Sequence, residues 1–285
     1  DKKWIKKMIA NIFSENPERH DLYLAAWEGY ISANIYGDIF SELNDLYERA
    51  IKLDPEKYTK RKYFRELDEG LATHLALAYV HFPDFNIDSD LFKLFWETSN
   101  AKRHEEFISF VGRHAISRDG ALKFIQENKI DIEKIRILWD WTLDNVEDGE
   151  VFVGFGFWMD KECNVFNDSK WLADHFGRTL EKSKGEINWD YGLIKSLPVL
   201  SEQAPEETLK ILKAYLLDHS ISKPESFRNS VYVDDFVTAF GTLYRNSVTK
   251  SAIYDLINEL ILKGGSRFWK LEDVIKNDTS TDNKV

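Results

Sequence analysis

Five carboxylates, Asp140, Asp144, Glu147, Asp148 and Glu150, fall within eleven residues of one another. Side chains so close could hold a divalent cation or act as general acid and base, which would make the chain a metal-dependent enzyme using loop 140–150. That chemistry needs fixed mutual geometry, and nothing in the spacing supplies it. An acidic loop on an acidic protein reads first as a solvated one. A second oxygen-rich stretch, Asp84-Phe85-Asn86-Ile87-Asp88-Ser89-Asp90, alternates ligand oxygens as a calcium loop does. Ser89 stands where the sharp turn requires Gly, and Phe95 stands where a closing bidentate Glu belongs, so the cage stays open. Helix capping is the better reading, with Asp88 or Ser89 accepting from the free amides of a helix starting near Leu91.

The seven histidines, His20, His74, His81, His104, His114, His175 and His219, show no metal-binding spacing. His74 and His81 share a helix face, but two turns separate them by about 10 Å along the axis, too far for one ion. They are expected in the core or at an interface. Cys163 is the single cysteine, which leaves no disulfide framework and no cysteine-based zinc site and suits a reducing compartment. Gly154-Phe155-Gly156-Phe157 and Gly264-Gly265 are not phosphate loops: the first lacks a third Gly and a Lys, and the second reads as a helix C-cap. No P-loop or nucleophile elbow occurs. The expectation is no metal and no cofactor, with a non-catalytic role favoured over an enzymatic one.

One dense basic and aromatic cluster remains: Lys57, Tyr58, Lys60, Arg61, Lys62, Tyr63 and Arg65, with Phe64 among them. It could grip phosphates and stack bases. Glu56, Glu66, Asp68 and Glu69 flank it, and the whole chain carries a formal charge of −11 with a pI near 5.2, so its field is diluted. It is the candidate binding site, for nucleic acid as the second choice.

To position any of these groups the chain must bury a core, and 285 residues that are 43% hydrophobic and 31% charged can do so. Six prolines and almost no hairpin dipeptides argue against strands. No apolar run reaches the roughly 18 residues of a membrane span, and no signal peptide is visible. A cytoplasmic protein without membrane contact is expected, beginning at Asp1 as a piece of something longer would. Trp4, Ile5, Met8, Ile9, Ile12 and Phe13 recur at helical spacing and predict a core-facing helix, and Leu22 to Leu53 predicts two more. Further helices are predicted over Leu67–Phe82, Leu91–Thr98, Phe107–Ile116, Ala121–Asn128 and Ile132–Val146. Val151, Val153, Phe155 and Phe157 alternate as a strand would, yet an isolated strand has nothing to pair with, so helix is predicted there also. The 14% of aromatic residues is expected mainly in the core, and Asn277–Val285 is expected to be a mobile polar tail.

The second half repeats itself. Ile194, Leu197 and Leu200 lead through Ala204-Pro205-Glu206-Glu207 to Leu209, Leu212 and Leu216, and Val237 to Tyr244 leads through Ser247-Val248-Thr249 to Ile253 and Ile261. Leu122, Leu172, Leu209 and Ile253, taken as equivalent points, are 50, 37 and 44 residues apart. These spacings bracket the period of roughly 40 to 47 residues of HEAT and armadillo repeats, which this part of the chain resembles. Leu46-Tyr47-Glu48-Arg49-Ala50-Ile51-Lys52-Leu53-Asp54-Pro55, with Trp27 before it, resembles a tetratricopeptide hairpin, although Ile31 and Asn34 depart from that pattern. The resemblance implies an all-α fold, a right-handed stack of antiparallel helix pairs (a HEAT-like α-solenoid), with helical hairpins over 1–65, repeats continuous with them over 66–276, and the tail over 277–285. It further implies a protein-interaction scaffold or sensor module, the helical portion of a larger multidomain bacterial protein. Its partner would be another protein or another domain of the same polypeptide.

Overall fold

The computed structural model describes residues 2–13, 16, 18, 20–31, 35, 37–53, 67–160, 163, 165–219, 233–264 and 268–279. Among them the chain is helical, with no strand. In order run α1 (Lys2–Ile12), α2 (His20–Ile31), a short α3 (Gly37–Phe40), α4 (Asn44–Lys52), α5 (Leu67–His81), α6 (Asp90–Thr98) and α7 (Ala101–Val111). Next come α8 (Ala121–Asn128), α9 (Ile132–Asn145), α10 (Gly149–Val153), α11 (Ser169–Lys182), α12 (Tyr191–Gln203) and α13 (Pro205–Lys213). The last three are α14 (Val233–Arg245), α15 (Lys250–Gly264) and α16 (Trp269–Thr279). No helix among the described residues is long and apolar enough to cross a membrane.

Local chemistry sets many of the boundaries. Asn100 caps α7 through the Arg103 amide at 3.0 Å, Asp131 caps α9 through Glu133 at 3.0 Å, and Asp168 caps α11 through Trp171 at 3.0 Å. Pro205 opens α13 with Glu206 and Glu207 in its first turn, where the missing amide costs nothing and the helix dipole favours acids. Gly120 enters α8 at φ +71°, a left-handed conformation that costs other residues more. The predicted capping of α6 is not what forms. Ser89 occupies the cap position, but its hydroxyl donates to the Asn86 carbonyl at 2.7 Å, and the Asp88 amide donates to the Asn86 side chain at 2.9 Å. Asn86 organises an Asx-type turn instead.

Three further expectations change. The segment from Leu22 to Leu53 holds α2, α3 and α4, with a 3-10 turn, Ser41–Leu43, joining the last two. In α1, Ile9 packs on the core and Phe13, just beyond it, is buried, its ring 5.7 Å from Trp27, but Trp4 is 59% exposed and Ile12 is exposed as well. The main neighbour of α1 is α2, and one helix covers only one strip of another. Finally, α16 continues past Asn277 to Thr279.

Helices two apart in the chain pack on each other: α4 on α6, α5 on α7, α9 on α11, α11 on α13, α12 on α14 and α14 on α16. Aromatic side chains fill the spaces between them. Trp27, Trp139 and Trp158 are fully buried, and Trp139 stacks on Phe155 at 5.0 Å with Trp158 at 5.2 Å. The ambiguous stretch from Val151 is helical as predicted as far as Trp158, as α10 followed by a 3-10 turn, Gly154–Trp158, with Met159 extended after it. Its tight winding follows from close contact: a Cβ on Gly154 would lie 2.7 Å from the Glu105 carbonyl of α7.

Candidate functional site

A cleft of about 600 Å³ opens where four irregular pieces of chain meet. They are a π-helical turn, Gly112–Ile116, that extends α7; the start of α8; the 3-10 turn after α10; and the backbone entering α12. Single π turns inside α-helical proteins are uncommon and occur often at functional sites. Arg113, Arg118, Leu122, Phe157, Trp189 and Tyr191 form the walls that a ligand would meet.

Glycines bring these pieces into contact. A Cβ on Gly112 would lie 2.7 Å from Trp158, one on Gly156 would lie 2.7 Å from the Trp189 backbone, and one on Gly192 would lie 2.2 Å from the Met159 carbonyl. The Gly-Phe-Gly-Phe stretch thus serves close packing, and not phosphate. Asn188 then fixes the neighbouring tryptophan. Its side-chain amide donates to Glu105 at 2.8 Å and to the fully buried Ser109 at 2.7 Å, and its backbone amide donates to Val153 at 3.1 Å. Trp189 is consequently laid flat on Phe157, with ring centroids 5.8 Å apart and planes 9° apart, and remains 46% exposed. Leu122, which also lines the cleft, is exposed; of the four positions equated in the repeat pattern, it does not share the burial of Leu172 and Ile253.

Two guanidinium groups flank this surface. Arg113 donates to Glu106 at 2.7 Å and lies 5.2 Å from the Phe157 ring. Arg118 donates to the His114 carbonyl at 3.3 Å and sits 3.6 Å over Phe124, and pairs with no carboxylate among the described residues. The wall's own carboxylates, Asp119 and Asp160, are engaged within the protein, Asp160 by the Val165 amide at 3.0 Å. Behind the π turn, His114 faces His81 with their Nε2 atoms 2.8 Å apart. Burial, then His81, then Arg118 hold the His114 ring down to about 4, and burial, then Lys134, lower His81. Lys134 itself is lowered to about 8 by burial, and its ammonium closes the end of α5 by donating to Tyr79 and Phe82 carbonyls at 2.5 and 2.8 Å.

The acidic loop is assembled differently. His175, Arg178 and Lys182 share one face of α11 and meet the carboxylates in register: Asp140 at 2.5 Å, Asp144 at 3.2 Å and Glu147 at 3.7 Å. The other nitrogen of His175 is 2.9 Å from the Trp171 carbonyl, so both sides of the ring are occupied. Asp148 caps α10 through Glu150 at 3.0 Å. Among the described residues no group of three or more His, Cys, Asp or Glu could hold a metal ion. His74 and His81 point to different partners, Tyr47 at 3.0 Å and His114. Cys163 is buried, its thiol pushed up to about 12 mainly by that burial.

Lys57, Tyr58, Lys60, Arg61, Lys62, Tyr63 and Arg65 lie outside the described residues. The cleft's own residues are scattered over more than 70 positions, which hides them from any motif search. The one local hint is Trp189-Asp190-Tyr191, two large aromatics at a helix start with no apolar periodicity to absorb the first. Among the described residues the chain is all-α, with a cleft lined by aromatic side chains, two arginines and two aspartates. Compared with known proteins, the chain matches no family model, no curated protein and no solved structure.

Proposed function

We propose that the chain is a non-catalytic interaction module, a HEAT-like stack of helix pairs that docks a peptide segment of a partner protein, or of another domain of its own polypeptide, in the cleft around Trp189. The observation that carries the reading is the exposure of Trp189 in the lining of the cleft of about 600 Å³, beside the hydrogen-bonded Asn188 and three close-packed glycines. Trp and Arg dominate the energetics of protein interfaces, and a pre-ordered aromatic ring loses little entropy on binding. Packing between helices two apart supports the stacked-pair description, because repeat arrays join neighbouring pairs in this way.

Panning a displayed random-peptide library on the full chain tests the proposal. A class of peptides should be enriched whose capture falls about 30-fold on Trp189→Ala with the melting temperature unchanged. Enrichment of no class, or of a class that binds the Trp189→Ala chain equally well, overturns it.

A further inference from the structure

Resting on the interaction reading, we infer that the cleft selects an acidic peptide in which a carboxylate sits beside an aromatic side chain. Three features specify that chemistry. Trp189 and Phe157 offer a flat stacked surface in a cleft that exposed Leu122 also lines, which suits an inserted ring better than a chain of methylenes. Arg118 lines the same cleft, and among the described residues its guanidinium meets the His114 carbonyl oxygen and the face of Phe124 but no carboxylate. Most of its donors are uncommitted, and a planar guanidinium presents two of them in the fork that a carboxylate accepts. Arg113 approaches from the Phe157 side, already tied to Glu106, so it adds hydrogen-bond donors and orientation rather than net charge.

Charge of the opposite sign does not compete on equal terms. Asp160 accepts from the Val165 amide and Asp119 also has a contact within the protein, so a lysine in the ligand would compete for carboxylates that already have partners and would meet the Arg118 guanidinium beside them. The formal charge of −11 repels acidic ligands at long range. At about 0.15 M salt the screening length is about 8 Å, so the groups inside the cleft decide.

Fluorescence anisotropy on the full chain decides between outcomes, using three labelled hexapeptides: one Trp flanked by Glu, the same with Lys for Glu, and the Glu peptide with Ala for Trp. The Glu–Trp peptide should bind saturably, and each analogue about tenfold more weakly. Arg118→Glu should weaken the Glu–Trp peptide about tenfold and strengthen the Lys–Trp peptide, with Arg118→Gln between them and thermal melting unchanged in both variants. Equal binding of Glu–Trp and Lys–Trp peptides, both lost in Trp189→Ala, overturns the acidic selectivity and leaves the docking reading standing. No saturable binding of the Glu–Trp peptide also overturns the inference; the library panning then judges the docking reading by itself. Charge selectivity that survives Arg118→Glu assigns it to other residues and equally overturns the role of Arg118.

Discussion

The seam between the acidic loop and α11 and the cleft around Trp189 are near opposites. At the seam, residues whose types suggest chemistry are used up: Asp140 meets the His175 ring, Asp144 and Glu147 meet Arg178 and Lys182, and Asp148 closes a helix end. At the cleft, residues that formed no motif leave their chemistry open: among the described residues Arg118 meets no carboxylate, and Trp189 is 46% exposed. A crowd of reactive types in sequence therefore measures local charge density, and the availability of a group depends on what the fold brings opposite to it. The spacing of His175, Arg178 and Lys182, three and then four residues apart, lines them on one helix face and zips the loop shut.

The glycines give the sharpest way to break this contrast. At the cleft, Gly192→Ala drives a methyl group to 2.2 Å from the Met159 carbonyl, and neither atom is the end of a flexible side chain. A loss of about 3 kcal/mol is expected in urea unfolding, at the upper end of overpacking costs. On α11 the buried Gly177 has Ile211 no nearer than 3.9 Å to the added carbon, so Gly177→Ala should stabilise by about 0.5–1 kcal/mol through helix propensity. Equal effects at the two sites would mean that the cleft backbone yields, and that Trp189 is not held rigid.

Acid should separate the regions next. His114 is held below its unfolded value of about 6.5, down to about 4, because burial and the facing His81 disfavour its charged form. A depressed histidine adds stability that is complete above about pH 6.5 and is lost as pH falls from there towards 4, where the unfolded chain takes up the proton first. The ring is half-exposed, so the loss is discounted to about 1 kcal/mol. The urea midpoint of the wild-type chain should fall over that range by more than that of His114→Gln. Parallel pH profiles would show that the His81–His114 contact does not support the π turn at the back of the cleft.

Much of the helical fold is legible in the sequence because its signals are local: Asp131, Asp168 and Pro205 start helices by chemistry that needs no distant partner. Even Val151–Trp158 is recoverable, since a lone strand has no ladder. What cannot be read depends on contacts far along the chain or on close local competition. Asn86 takes the turn from Asp88 and Ser89 by bonding locally in a way that competes with capping. Leu122 fits a helical stripe, but its neighbours at the cleft leave it exposed, so periodicity alone misplaces it in the core. The cleft itself joins residues 113 to 192, and only the docking of α7, α10 and α12 brings them together.

The smallest effect belongs to the seam and tests whether its pairs do anything beyond neutralising the loop. Asp144 and Arg178 are 3.2 Å apart, with side chains 69% and 44% exposed, so water screens them and ordering two long side chains costs entropy. A double-mutant cycle with Asp144→Ala and Arg178→Ala should return a coupling of no more than about 0.5 kcal/mol, falling further in high salt. The Asp140–His175 pair should couple more strongly, because His175 is buried and its second nitrogen is fixed by Trp171, leaving the ring little freedom to find another partner. A coupling above about 1 kcal/mol at Asp144 would place the outer loop under constraint as firm as the inner one, and the seam would then share the pre-ordering that distinguishes the cleft.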